Sequence, residues 1–243
     1  MARALLLASA LTVTVGCGPA RSVEPPVKVT PDAGAWFDED LARCRIGGAA
    51  PRTVDEVIAR INALPMPVSA PCFTASLPRP LSLVATTSRF SAQPAGGPDD
   101  PRLFIFTPGA LLSVVIGGKA KDLLEIGELV TDNRTLKAEI VFPVAAPITR
   151  DAAYAHLDYA PTITSCGLCH TGEEVHPAHP LARTSIAFRP VARTLMSLDR
   201  ARALSAACDP AVERERCVAW ASVFGFGEVV PGTFPAAFAD FIK

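Results

Sequence analysis

Positive charge is in no excess in this chain: 23 Lys and Arg stand against 24 Asp and Glu, giving a formal net charge of −1 over 243 residues. Nucleic-acid binders carry a basic surplus, so no nucleic acid is expected as a partner. Lys is scarce beside Arg, a bias that follows genome composition more than function. Long apolar runs are also missing. After the first 17 residues no segment reaches the roughly 20 apolar residues that a membrane-spanning helix needs. The 23 Pro leave little room for long helices and favour short elements joined by turns. What remains is a chain nearly half apolar, long enough for one sizeable domain or two small ones with real cores.

The N-terminus supplies the first positive signal. "MARALLLASALTVTVGCGPA" places one Arg before an apolar run from Ala4 to Val15, then a small residue and Cys17. That is the layout of a secretory signal. Thr14-Val15-Gly16-Cys17 resembles the lipobox of bacterial lipoproteins, with Thr where Leu is usual. The resemblance implies a lipidated Cys17 as the mature N-terminus, and so a membrane partner met through acyl chains and not through a spanning helix. The location it implies is the bacterial cell envelope, facing the periplasm or the cell surface. Residues 18–35 are polar and Pro-rich, as expected of a tether.

A folded body is expected from about residue 36, with a strand-rich region over 36–148 and a helical, loop-rich region over 149–243. Thr53 and Glu56 form a capping box, and Val54, Val57, Ile58, Ile61 and Leu64 recur on one helical face before Pro65. From Leu81 to Val144 the period becomes that of strands: "LSLVATT", "RLFIF", "LLSVVI", "LEIGELV" and "TLKAEIVF" are separated by turn signals, with "TDNRT" a hairpin. In the last strand Leu136, Ala138, Ile140 and Phe142 alternate with Lys137, Glu139 and Val141, so one face is buried. The fold class is therefore α+β, its antiparallel strands arranged as a small sandwich or open barrel. This stretch shows no cluster of catalytic residue types and reads as scaffold. Beyond Thr149, "DAAYAHLDY", "LDRARALSAAC" and "DPAVERERCVAWASVF" read as short helices, the last capped by Asp209.

All 4 His lie in that second region, and "SCGLCHTGEE" sets Cys166, Cys169 and His170 within five positions. At this chain's own Cys and His frequencies, C-x-x-C-H would arise by chance roughly three times in a thousand such sequences. Two thiols three positions apart can bond the two vinyl groups of one haem, and the adjacent imidazole can turn to its iron. "CGLCH" resembles the haem-attachment motif of c-type cytochromes. The resemblance spans five residues and implies one covalent haem c, with Cys166 and Cys169 as thioether attachments and His170 as proximal iron ligand. The implied role is electron transfer, with a redox protein of the envelope as partner. An open sixth position would instead imply peroxidase-like reactivity.

Candidates for the sixth ligand are, in order, His179, Met196, His176 and His156. Arg183, Arg189 and Arg193 are candidates for the haem propionates. The rival reading takes Cys166, Cys169, His176 and His179 as a structural zinc site, or the cysteine pair as a disulfide staple, in a non-enzymatic envelope protein. A redox-active C-x-x-C lacks its usual βαβ context. Setting aside Cys17, Cys166 and Cys169 leaves Cys44, Cys72, Cys208 and Cys217. Of three possible connectivities, Cys44 with Cys72 and Cys208 with Cys217 is the one local in sequence.

Overall fold

The computed structural model describes residues 38–241. Cys17, the signal segment and the tether lie outside the described residues. The chain opens with α1 (Glu39–Ala42), α2 (Val54–Asn62) and α3 (Ala70–Ser76). Five strands follow: β1 (Leu81–Thr86), β2 (Arg102–Phe106), β3 (Ala110–Val115), β4 (Leu123–Thr131) and β5 (Arg134–Val141). After them come β6 (Asp158–Ala160), β7 (Ile163–Thr164), β8 (Glu174–His176), β9 (His179–Ile186), β10 (Phe188–Arg189) and β11 (Leu195–Met196). Helices α4 (Leu198–Ala206) and α5 (Arg214–Phe224), then β12 (Val229–Pro231) and β13 (Ala239–Asp240), complete the order.

The class is α+β, as expected, built on an antiparallel sheet that does not close. Nine strands form one open sheet in the order β11-β1-β2-β3-β4-β5-β9-β8, with β12 parallel to β1 and every other pair antiparallel. Residues beyond 148 thus extend the same sheet at both ends. Only α4 and α5 are α-helices there among the described residues, whereas "DAAYAHLDY" makes a 3-10 turn over Arg150–Ala153 and then enters β6. The expected cap at Asp209 is replaced by a local turn: its carboxylate accepts from the Ala211 N–H at 2.9 Å, and the helix begins only at Arg214.

Helix α2 forms as its sequence dictates. Thr53 accepts from the Glu56 N–H at 3.2 Å, and the Glu56 carboxylate reaches back to the Arg52 N–H at 2.6 Å. Val54, Val57, Ile58 and Ile61 are buried against the sheet. They share one core with Leu103, Ile105, Leu112, Val114, Leu124, Ile126, Leu136, Ala138 and Ile140 from the strands, and with Trp220 and Phe224 of α5.

Two disulfides, Cys44–Cys72 and Cys208–Cys217, join the pairs local in sequence. The short α3 ends without a glycine, and two cationic side chains serve its carbonyls. Arg45 donates to Ala75 O and Leu77 O, and Arg60 to Ser76 O.

Candidate functional site

Strand alternation sends every second side chain of β2 to β5 away from that core. Arg102 and Phe104, Ser113, Glu125 and Gly127, Lys137 and Glu139 share the opposite face and floor a solvent-open cleft of about 120 Å³. Ser165, Cys166, Cys169 and His170 form one wall. Phe188, Arg189 and Phe241 form another, brought together by the parallel β10–β13 pair. The loop carrying Ser88 to Ala92 makes the rim. It is pinned by buried Gln93, whose amide donates to Ser113 O at 3.1 Å and Leu123 O at 2.7 Å.

The polar floor is internally paired. Arg102 donates to Glu125 at 2.5 Å, to Ser113 at 2.6 Å and to Ser91, with its guanidinium 4.5 Å from the Phe104 ring centroid. Glu139 meets His156 Nε2 at 2.9 Å. Burial raises the Glu139 carboxyl above its ordinary value, against the pull of His156. Burial lowers the Lys137 amine to about 8, the nearby Cys166 opposing that shift.

The wall segment owes its shape to local bonds. Cys166–Leu168 is a 3-10 turn, and the N–H groups of Cys169 and His170 both donate to Cys166 O, at 3.1 and 2.8 Å. Gly167 sits where any Cβ would collide with the Glu173 carboxylate and come within 2.6 Å of the Ile163 side chain. Glu173 is itself held by the Thr164 N–H at 2.8 Å and by the Thr164 hydroxyl. Cys166 and Cys169 are free thiols, the first half-buried and the second exposed. Burial pushes the Cys166 thiol up to about 11, so it is protonated at neutral pH.

His170 is oriented from behind. Its Nδ1 lies 2.8 Å from the Ile186 carbonyl oxygen, which can only accept, so Nδ1 carries the proton and Nε2 keeps its lone pair. The ring packs 5.3 Å from the Phe188 centroid. Burial, followed by the charge of Lys137, lowers the imidazole to about 3 and leaves it neutral. A backbone carbonyl on the far nitrogen is the usual second-shell support of a metal-binding histidine.

Of the residues expected from sequence, Cys166, Cys169, His170 and Arg189 line this cleft together. The four sixth-ligand candidates lie elsewhere. His179 bonds Asp151 at 3.1 Å and packs on Tyr154 at 4.9 Å. His176 accepts from the Ala178 N–H at 3.3 Å. His156 is spent on Glu139, and Met196 is buried in β11 opposite Ala85. Arg183 turns back to Pro180 O at 2.6 Å, and Arg193 is exposed outside the cleft.

Nor do Cys166, Cys169, His176 and His179 converge as zinc ligands must. Among the described residues the metal-like cluster is Cys208, Glu213 and Cys217, whose two sulfurs are joined in a disulfide. The strand region, read as scaffold, holds the polar floor. Its signal in the sequence is the alternation that sets Lys137 and Glu139 on the face opposite Leu136, Ala138 and Ile140. Among the described residues no helix is long and apolar enough to cross a membrane. Comparison with protein-family models, curated proteins and solved structures returns no match.

Proposed function

We propose that this chain is an exported, lipid-anchored, c-type cytochrome-like protein that carries one covalent haem c and exchanges electrons with a redox protein of the cell envelope. The observation that carries this reading is the coincidence, in one cleft, of two free thiols and an imidazole whose Nε2 is left open by the Nδ1 bond to Ile186. Haem, when bound, supplies one-electron exchange between ferrous and ferric iron.

The chain's own residues fit that group. Cys166 and Cys169 are unpaired and available for thioether bonds, and His170 offers a neutral nitrogen whose orientation is set by Ile186. Phe104, Phe188 and Phe241 offer apolar surface to a macrocycle, and Arg189 offers positive charge to its carboxylates. Gly127 supports the fit as well. A Cβ there would meet Thr135 at only 3.5 Å, so packing within the protein does not demand a glycine. Glycine inside a strand is expected where a ligand approaches the backbone closely. Two disulfides accord with an oxidising compartment, and with the signal and Cys17 they support export and anchoring.

The test is an absorption spectrum with pyridine haemochrome analysis of protein exported alongside haem c maturation proteins. A covalent haem spectrum that disappears in Cys166→Ala/Cys169→Ala is the expected result. A colourless, folded wild type would sink the reading and favour the staple alternative, to be pursued by metal analysis. Retention of Cys17→Ser in the membrane fraction would refute the anchor.

A further inference from the structure

An iron held by one imidazole takes a second donor from the opposite side of the macrocycle or stays open there. The donors expected from sequence are all engaged outside the cleft. Within it, Glu125 is taken by Arg102, Glu139 by His156, and Ser113 by both Arg102 and Gln93.

Lys137 differs from these neighbours. It stands in the middle of β5, between β4 and β9, on the cleft face. Among the described residues its Nζ makes no hydrogen bond or ion pair. It lines the same cleft as Cys166 and His170. Its cross-strand neighbour on β4 is Gly127, which carries no side chain of its own into the cleft. A central strand holds a side chain's base more rigidly than a loop does, and the four-carbon stem lets the nitrogen adjust its reach.

We propose that the Lys137 amine is the second axial ligand of the haem iron, on the side opposite His170. The inference rests on the haem c reading above. In forming the bond Lys137 releases one proton to solvent and donates the freed Nζ lone pair to iron, with no change in the number of electrons. The ligand is thus supplied from the sheet, 29 residues before Cys166, and the motif-bearing wall supplies only the proximal side.

The experiment compares exported wild type with Lys137→Ala and Lys137→Met, each scored first for covalent haem by pyridine haemochrome and for fold by circular dichroism. Ferric electron paramagnetic resonance and redox titration then follow. The expected wild type is low-spin. Lys137→Ala should keep its haem, turn high-spin, and bind added imidazole at least tenfold more tightly. Lys137→Met should remain low-spin with a more positive potential, since Met/His ligation raises it.

A low-spin Lys137→Ala with the wild-type spectrum would overturn the assignment, as would a high-spin wild type at neutral pH. If Lys137→Ala fails to fold, Lys137→Met decides: an unchanged potential and spectrum overturn the proposal, and a raised potential upholds it. A colourless wild type would bring down the haem reading itself, an outcome distinct from a coloured protein with some other ligand.

Discussion

The two faces of the sheet are built from the same strands and do different work. On one, Leu103, Leu112, Leu124, Ile126, Leu136 and Ile140 meet α2, α3 and α5 in a continuous apolar core. On the other, one residue along each strand, Arg102, Ser113, Glu125, Lys137 and Glu139 floor the cleft. Apolar burial stabilises in proportion to area, whereas half-buried charges cost desolvation that their pairing only partly returns. The contrast teaches that stability resides on the helix side. The cleft side is free to be specialised at small cost to the fold.

The largest expected effect tests the helix side. Phe73→Ala should lose about 3–5 kcal/mol, read as a lowered urea midpoint, because Phe73 is fully buried against Phe142. Equal sensitivity at Lys137→Ala would break the comparison, since removing an unpaired half-buried charge should leave the midpoint level or raise it. Next come the disulfides. Replacing both cysteines by alanine should cost about 3.5 kcal/mol at Cys44–Cys72 and about 2.5 at Cys208–Cys217, since their spans are 28 and 9 residues. A reversal of that order in denaturant melts would show that loop closure is not the governing term. Thr53→Ala should cost about 1 kcal/mol through loss of the cap bond to Glu56.

The remaining two effects scarcely touch stability and sharpen the cleft side. Gly127→Val should move the midpoint by no more than about 0.5 kcal/mol, yet reduce covalent haem severalfold by filling the floor. Full haem loading in that variant would place the cofactor elsewhere. In haem-free protein at pH 7, iodoacetamide should modify exposed Cys169 before Cys166. The Cys166 rate should climb about tenfold per pH unit until pH nears 11, since the thiolate is the nucleophile and burial holds its pKa there. Mass spectrometry of digests reads both rates, and a Cys166 rate flat above pH 8 would contradict the burial.

Local features were legible from sequence. The α2 capping box, the strands β1 to β5 with the alternation in β5, the Thr131–Arg134 hairpin and both disulfides depend on residues near one another in the chain. What escaped depends on pairing across long separations. β5 and β9 are neighbours although residues 142–178 lie between them, and that pairing carries Cys166 to His170 over the floor. Spacing along the chain pointed to His179 and His176, which lie outside the cleft, one ring nitrogen of each engaged by Asp151 and the Ala178 N–H. The polar residues of the floor are dispersed over four strands, so no short window of sequence brings them together.

Strand β1 has a further consequence for how the molecule comes to be. Its inner edge is paired by β2 soon after it is made, but its outer edge waits for Leu195–Met196 and then for Val229–Pro231. At a synthesis rate of roughly 5–20 residues per second, that edge stands bare for on the order of 5–30 s. A nascent chain in that interval offers Leu81 to Thr86 as a template for a stranger's strand. The last strands of the chain thus act as a closing seam, and truncation near the C-terminus should yield aggregation.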